Sequence, residues 1–167
     1  MYDVTATGEL LIDFTRNGLS EQNNRIYEAN PGGAPCNVLA KLGKLGYKTA
    51  FIGKVGDDEF GKLLKNTITE QKIDAAGLIL DPNAKTTLAF VDNDETGDRS
   101  FSFYRKPGAD MMLREDEVNY ELIDNCRIFH FGSLSMTDEP VRSATYAMID
   151  YAKKKNKIIS FDPNLRP

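Results

Sequence analysis

The apolar positions along the chain form two kinds of pattern, short continuous runs and longer segments with helical spacing. The continuous runs are rich in β-forming residues and therefore predict buried strands. They occupy residues 4–12, 49–55, 77–80, 127–131 and 158–161. The polar stretch after the first run, residues 15–24, has no strong periodicity and is interpreted as chain that runs outward from the sheet.

Three segments with helical spacing lie between these runs. After Gly33, apolar residues recur three or four positions apart, and Gly46 ends the pattern as a helix C-cap. A second helix has Asp57 or Asp58 as its N-cap, and a third runs from about residue 138 to 155 with Pro140 in its first turn. The predicted inner face of the second helix consists of Phe60, Leu63, Leu64, Thr67 and Ile68. Strands that alternate with helices predict an α/β fold with a parallel sheet covered on both faces.

Two further runs, residues 86–91 and 99–104, differ in character from the others. The polar, turn-prone segment 92–98 joins them directly, with no helical pattern in between. A short polar connection between two β-forming runs is typical of a hairpin. We therefore expect an antiparallel pair of strands here.

Composition narrows the class of protein and excludes several partners. The chain has 167 residues, 41% hydrophobic and 28% charged, which is ordinary for one globular domain. Its formal net charge of -4 leaves no broad basic surface for a nucleic-acid backbone, so we predict no nucleic-acid partner. Cys36 and Cys126 are too few for a disulfide framework, no secretory leader precedes Asp3, and no apolar run approaches membrane-spanning length. We expect a cytoplasmic protein that binds no membrane.

Three familiar kinds of site are not supported. Residues 56–63 nearly spell a P-loop, but Leu63 offers no hydroxyl to magnesium and the carboxylates of residues 57–59 would repel phosphates. No Gly-x-Gly-x-x-Gly fingerprint follows the first strand, which removes the main support for dinucleotide binding. His130 is the single histidine, and it lies in a predicted strand, where a packed imidazole is more common than a catalytic base. We predict no metal ligands in this chain.

Paired glycines stand before the first predicted helix, in the segment PGGAPCN at residues 31–37. Adjacent glycines at the start of a helix let the backbone approach a ligand closely, and the helix N-terminus presents free N–H groups. Asn37, in the first turn, offers both a donor and an acceptor to a hydroxylated ligand. Tight packing alone would use Gly32 and Gly33 in the same way, and this segment does not decide between the two interpretations.

Charged side chains stand where three predicted strands end. Asp13 ends the first strand, Arg105 ends the second strand of the hairpin, and Arg166 follows the last strand. Each would be an ordinary surface charge if it stood alone. Together with the paired glycines, a carboxylate and two arginines at strand ends suit a polyol that carries or receives a phosphoryl group.

In this order the segments resemble the ribokinase-like (PfkB) carbohydrate kinases, and among them the fructokinases. The first family signature is matched by Gly32, Gly33, Pro35, Asn37, Gly46 and Gly56. Leu39 stands where a small residue is usual, and we expect it to pack inward. Segments more specific to fructokinases are GELLIDF at 8–14, TLAFV at 87–91, FYRKPGADMML at 103–113, IFHFGS at 128–133 and FDPNLR at 161–166. The resemblance extends over essentially the whole chain and corresponds to the N-terminal half of such an enzyme.

This resemblance implies a Rossmann-like αβα sandwich of the ribokinase-like fold, truncated at the C-terminus. Residues 1–167 would be the N-terminal part of a single kinase domain, with a small β-sheet lid formed by segments at about 14–30 and 86–105. A sugar would lie between the lid and the main sheet. The implied substrate-binding residues are Asp13, Gly32, Gly33, Asn37, Phe103, Arg105 and Arg166, and Asn164 would lie on the nucleotide and magnesium side.

The implied activity is transfer of the γ-phosphoryl group of ATP, with Mg²⁺, to fructose, which gives fructose 6-phosphate. A related kinase for 2-keto-3-deoxygluconate, ribose or a nucleoside stays open, as does a non-catalytic sugar-binding relative. The Gly-Ala-Gly-Asp segment that carries the family's base aspartate is absent, and residues 108–110 resemble it but lack the second glycine. We therefore expect the base beyond Pro167 and no catalysis by this chain alone. A homodimer through the lid is a further expectation.

Overall fold

The computed structural model describes residues 1–93 and 99–164, which form two sheets and the helices packed on them. In chain order the elements are β1 (Tyr2–Thr7), β2 (Leu11–Leu19), β3 (Arg25–Gly32), α1 (Ala34–Lys44), β4 (Thr49–Gly56), α2 (Glu59–Glu70), β5 (Ile73–Asp81), β6 (Leu88–Asn93), β7 (Arg99–Tyr104), α3 (Glu121–Asp124), β8 (Cys126–Gly132), α4 (Val141–Lys154) and β9 (Ile158–Asp162). Short 3-10 helices are Ala109–Met112, Glu115–Glu117 and Leu134–Met136. Within the described ranges, no helix is long and apolar enough to cross a membrane.

The larger sheet has five strands in the order β5-β4-β1-β8-β9, and each neighbouring pair is parallel. Helices cover both of its faces. Val4 and Ala6 of β1 pack with Leu39 of α1 and Leu64 of α2 on one side. The opposite side holds a second core cluster, in which α3 and α4 pack on β8. The predicted α/β fold, with a parallel sheet covered on both faces, is confirmed.

The smaller sheet has four strands in the order β3-β2-β6-β7. β6 and β7 pair antiparallel, which confirms the hairpin that the sequence predicts, and β2 joins them by pairing parallel to β6. Contacts between aromatic rings join strands within this sheet and pack the sheet against α2. Phe14 stacks on Phe90 with a centroid distance of 4.9 Å, and it meets Phe60 of α2 edge-on at 5.5 Å.

The strand predicted at residues 4–12 is two strands that belong to different sheets. β1 ends at Thr7 and β2 begins at Leu11, so the apolar run continues through a connection. A Cβ atom at Gly8 would lie 2.4 Å from Cγ of Pro35, so the chain passes α1 too closely for a side chain at this point. Asp13 is therefore the third residue of β2, and the prediction that it ends the first strand is wrong.

Other differences lie at the polar strands and the helix ends. β2 continues to Leu19 and pairs antiparallel with β3, although residues 15–24 show no strand periodicity.

Asp58 is the N-cap of α2, as predicted, and its carboxylate accepts a hydrogen bond from the N–H of Gly61. Leu63, predicted on the inner face of α2, is exposed, whereas Leu39 of α1 is fully buried as expected. The last helix begins at Val141, with Pro140 as its N-cap rather than in its first turn.

Candidate functional site

The carboxylate of Asp13 lies directly against Gly32. Asp13 belongs to β2 and Gly32 ends β3, and the antiparallel register pairs Leu11 with Gly32. A Cβ atom at Gly32 would stand 2.2 Å from Oδ2 of Asp13, which is closer than any real contact. The glycine therefore makes room for the acid at the start of α1.

Gly33 turns the chain from β3 into α1. Its φ of 122° is in a region that L side chains rarely adopt, and a Cβ atom there would meet the carbonyl oxygen of Glu9 at 2.2 Å. The Glu9 carboxylate accepts a hydrogen bond from the N–H of Ala34 at 2.8 Å, which satisfies one of the unpaired donors at the helix N-terminus. Asn37 lies one turn into α1 and is exposed.

Phe103 shares a face of the small sheet with Asp13. The register places Asp13 beside Ala89 and Ala89 beside Phe103, so the three side chains project to the same side across β2, β6 and β7. Ala89 is fully buried, whereas Phe103 is largely exposed. Asp13 and Phe103, which the family resemblance assigns to one sugar site, therefore lie on the same face of the small sheet.

Arg105 follows β7, and its guanidinium makes hydrogen bonds to Asp110 and to Leu134, which follows β8. Its Nε donates to Oδ2 of Asp110 at 2.7 Å, and one terminal nitrogen reaches the carbonyl oxygen of Leu134 at 3.4 Å. Asp110 is buried and also accepts a hydrogen bond from Thr87. The acid of the segment at 108–110 thus holds an arginine, which agrees with the interpretation that this segment is not the family's catalytic motif.

Two of the predicted residues also line a cavity between α1 and α2. The cavity has a volume of about 280 Å³, and Gly32 and Asn37 stand at its wall with Lys41 and Gln71. Asp13, Phe103 and Arg105 are not part of this lining. Gly32 therefore both lines this cavity and lies against the Asp13 carboxylate.

Asn164 lies beyond the carboxyl end of β9. Its backbone N–H donates to Oδ1 of Asp162 at 2.9 Å, and the Ser133 hydroxyl donates to the neighbouring carbonyl of Pro163 at 2.6 Å. These bonds fix the turn that follows the strand and leave the Asn164 side chain exposed. Arg166, the remaining predicted sugar contact, lies outside the described residues.

The side chains that the structure describes do not form a metal site. They include no group of three or more His, Cys, Asp or Glu residues placed to hold an ion. His130 is buried, its Nδ1 is 3.0 Å from the Ser160 hydroxyl, and its Nε2 has no partner. Burial lowers the pKa of His130, although the Asp162 charge opposes the shift, so the imidazole is neutral at physiological pH.

Burial also shifts the pKa values of two groups near the start of α1, the Cys36 thiol and the Glu9 carboxyl. It raises the pKa of the Cys36 thiol to about 12, with the nearby Glu9 charge adding to the effect, so this cysteine is unreactive. Burial likewise raises the pKa of Glu9, and the hydrogen bond from Ala34 opposes that shift. Sequence reasoning did not single out Glu9. The signal was a charged residue inside an otherwise apolar run, which is rare without a special role.

Comparison with known proteins shows the same architecture in carbohydrate kinases. The model of the family described as pfkB family carbohydrate kinase matches residues 1–167. The protein called probable fructokinase-2 of Arabidopsis thaliana is 46% identical over 165 residues, which are 98% of this chain and 50% of that protein. The chain thus spans about half the length of the curated relatives it matches.

Solved structures agree over the whole described fold. A fructokinase from Xylella fastidiosa with bound ATP superposes with a TM-score of 0.91 at 36% identity, covering 100% of this chain and 50% of that one. A fructokinase from Vibrio cholerae, in a form that binds fructose, ADP and calcium, gives 0.86 at 37% identity, with coverage of 99% and 52%. The ribokinase-like fold that the sequence resemblance implies is therefore confirmed. On its family match, its sequence identity and its fold, the chain belongs to the pfkB family of carbohydrate kinases.

Proposed function

We propose that the full-length protein is an ATP-dependent fructokinase, which transfers the γ-phosphoryl group of ATP to fructose and produces fructose 6-phosphate. The observation that carries this proposal is the Asp13 carboxylate held against Gly32, beside the N-terminus of α1. A carboxylate can accept hydrogen bonds from two hydroxyls of one sugar. The Arabidopsis thaliana relative, 46% identical to this chain, is called a probable fructokinase, and the Vibrio cholerae structure contains fructose with ADP.

The sugar site is proposed to lie between the small sheet, acting as a lid, and the carboxyl edge of the main sheet. Asp13 contributes from β2, and Gly32, Gly33 and Asn37 contribute from the start of α1. The exposed ring of Phe103 covers the apolar face of the sugar. The guanidinium of Arg105, with Nε engaged by Asp110, keeps other N–H donors for hydroxyls or a phosphoryl group. Arg166 is assigned to the same site by the family resemblance.

ATP and Mg²⁺ are the proposed cofactors, and ATP would supply the phosphoryl group. Asn164 is proposed for the nucleotide side because it stands in a fixed turn beyond the carboxyl end of β9, where open α/β sheets bind ligands. The described residues do not by themselves form a site that fits a magnesium ion.

The base that takes the proton of the sugar hydroxyl is proposed to come from sequence beyond Pro167. Asp110, in the segment closest to the family's catalytic motif, is buried and engaged by Arg105 and Thr87. It cannot serve as a base at a sugar hydroxyl without losing these contacts. The 167 residues are therefore proposed to bind sugar groups without transferring a phosphoryl group.

A second copy of the protein is the proposed macromolecular partner. Tyr27, Phe90 and Tyr104 form a row of ring contacts across the small sheet, and Tyr104 is exposed. An exposed aromatic face favours association with another apolar face.

The proposed compartment is the cytoplasm, which agrees with the free cysteines Cys36 and Cys126.

Phosphorylation assays of the full-length protein with ATP test this function. Fructose, 2-keto-3-deoxygluconate, ribose and adenosine are compared as acceptors at equal concentration. We expect fructose to give the highest kcat/KM, by about tenfold or more, because specific hydroxyl contacts discriminate strongly between acceptors. Preference for another acceptor would support a related kinase, and sugar binding without turnover would support a binding relative.

A further inference from the structure

One carboxylate, that of Asp58, holds both the start of α2 and the chain that enters the small sheet. Its Oδ1 accepts the N-cap hydrogen bond from the Gly61 N–H at 2.9 Å. The same carboxylate accepts two bonds from Thr86, one from the hydroxyl at 2.7 Å and one from the backbone N–H at 2.9 Å. An N-cap needs only the first of these bonds. Thr86 lies two residues before β6, so the other two connect α2 to the small sheet.

The Thr86 hydroxyl is buried and bonded on both sides. It donates to Asp58 and accepts a hydrogen bond from the Gly56 N–H at 3.0 Å. A Cβ atom at Gly56 would lie 2.5 Å from Oδ2 of Asp58 and 2.6 Å from the backbone nitrogen of Thr86. The three residues therefore pack with no room for another side chain, and Thr86 is fixed against both β4 and α2.

The next residue, Thr87, connects this contact to Arg105. The Thr87 hydroxyl donates to Oδ1 of Asp110, and Oδ2 of Asp110 accepts the hydrogen bond from Nε of Arg105 at 2.7 Å. Thr87 and Asp110 are both buried, so neither bond competes with water. An unbroken series of bonded neighbours thus runs from Asp58 to the guanidinium of Arg105.

The chain that enters the small sheet is also bonded to the chain that leaves it. Lys85 and Gly108 form a parallel bridge, and the Ala109 N–H donates to the Lys85 carbonyl oxygen at 2.8 Å. A Cβ atom at Gly108 would overlap the Thr87 hydroxyl, so the two segments touch without a side chain between them. A shift of the entering chain would therefore displace the leaving chain, which carries Arg105.

We propose that Asp58 and Thr86 are positioning residues of the sugar site, an inference that rests on the function proposed above. Their contact fixes the point at which the chain enters the small sheet relative to β4 and α2. Through Thr87 and Asp110, it also fixes the guanidinium of Arg105, a residue of the proposed sugar site. Asp58 and Thr86 act on the sugar only through these groups.

Asp58→Asn in the full-length protein separates the N-cap from the connection to Thr86. Asparagine is an equally good N-cap and keeps one oxygen for Gly61, but its NH2 group cannot accept the Thr86 N–H. We expect KM for fructose to rise about fivefold to tenfold with kcat changed less than about threefold, because the ground-state contacts of Arg105 are loosened. We also expect the Arg105 Nε–H, followed by NMR without any sugar, to exchange with solvent several times faster.

Thr86→Val breaks the same connection from the other side. Valine has the shape of threonine without its hydroxyl, so this variant should reproduce the rise in KM and the faster exchange of the Arg105 Nε–H. Thr86→Ser keeps the hydroxyl and should leave both properties near their wild-type values. Asp58→Asn and Thr86→Val each preserve the shape of the residue they replace, and if only one of them folds, its values decide.

The matched control is Thr5→Val, which removes a buried hydroxyl from β1. Thr5 is fully buried, and its hydroxyl donates to the Leu122 carbonyl oxygen at 2.9 Å. The stability of this variant should fall, whereas KM and the Arg105 exchange rate should keep their wild-type values. An equal rise of KM in Thr5→Val would mean that any buried hydroxyl has this effect, and the proposal would be overturned.

Two further results decide between the proposals. An active Thr86→Val enzyme with wild-type KM overturns the positioning role, whatever its exchange rate. If the wild-type protein phosphorylates none of the acceptors, the proposed function fails instead. The Arg105 exchange rate then decides alone: a faster rate in Asp58→Asn and Thr86→Val supports the positioning role, and an unchanged rate overturns it.

Discussion

The contact between Asp13 and Gly32 depends on the missing side chain of the glycine. A methyl group at Gly32 would overlap Oδ2 of Asp13, so the carboxylate would have to leave its place. The fold keeps this acid within β2, half-buried, rather than at a solvated strand end. The sequence analysis named both residues, but it placed Asp13 at the end of the first strand. The chain instead leaves β1 before Gly8 and begins β2 at Leu11. This break depends on the close approach of Pro35, which is distant in the sequence and leaves no local pattern.

Gly32→Ala should therefore weaken sugar binding as well as the fold. We expect KM for fructose to rise by about tenfold to a hundredfold, and the fold to lose about 1–3 kcal/mol through overpacking. Steady-state kinetics and thermal unfolding of the full-length protein measure the two effects. Gly18→Asn is the control, because a Cβ atom at Gly18 meets nothing within 4 Å and asparagine tolerates its positive φ. Unchanged kinetics in Gly32→Ala would contradict the role given to this contact.

His130 should give the fold a pH dependence near neutrality. Burial lowers the pKa of His130 below its usual value of 6.5, so the unfolded state binds the proton more readily. Stability should therefore fall as pH falls through that usual value, until the folded state is protonated as well. Glu9, whose pKa is raised, contributes in the opposite direction as pH rises above its usual value.

The pH dependence is tested by the difference between the wild type and His130→Gln. Thermal unfolding between pH 5.5 and 7.5 should show a midpoint that falls on acidification in the wild type, and a smaller fall in the variant. Comparison of the two proteins cancels the contribution of Glu9 and the other carboxyl groups. Equal slopes in the two proteins would show that His130 does not titrate as its burial implies.

At the scale of elements, the segment after β7 is held to the main sheet by an ionic cluster. Lys54 of β4 is only 3% exposed, and its ammonium donates to both oxygens of Glu117 at 2.7 Å and to the Met112 carbonyl at 3.0 Å. Asp81 of β5 lies 3.4 Å from the same nitrogen. These contacts fasten the chain that carries Asp110, and therefore bear indirectly on Arg105.

Lys54→Met should be strongly destabilising, because it leaves two carboxylates facing each other without their cation. We expect a loss of about 3 kcal/mol in the free energy of unfolding. Lys62→Met is the matched control, since Lys62 and Glu59 form an exposed pair at 3.5 Å whose loss should cost less than about 0.5 kcal/mol. Denaturant unfolding measures both variants. Similar costs for the two lysines would mean that the buried cluster contributes little.

The elements that sequence patterns predicted are those with a buried apolar run or an amphipathic face. The strands of the main sheet and the three longer helices belong to this class, and so does the hairpin of β6 and β7. β3 carries no such pattern, because its residues are mostly exposed and its structure comes from pairing with β2. The order β5-β4-β1-β8-β9 also comes from contacts between distant segments, which no local pattern encodes.

At the scale of the whole molecule, the small sheet and the main sheet bring together residues that are far apart in the sequence. Asp13 and Phe103 share one face of the small sheet, and Gly32 joins that face to the start of α1. Arg105 reaches across to the carbonyl of Leu134, which follows β8 of the main sheet. The family resemblance could indicate these residues, but their relative placement required the fold.

The most direct test is a crystal structure of the full-length protein with fructose bound. Our account predicts a sugar hydroxyl within about 3 Å of a carboxylate oxygen of Asp13, which is ordinary hydrogen-bond distance. The same sugar should also contact the amide of Asn37 and the guanidinium of Arg105. Fructose bound elsewhere, with Asp13 and Arg105 free of the sugar, would contradict the proposed site.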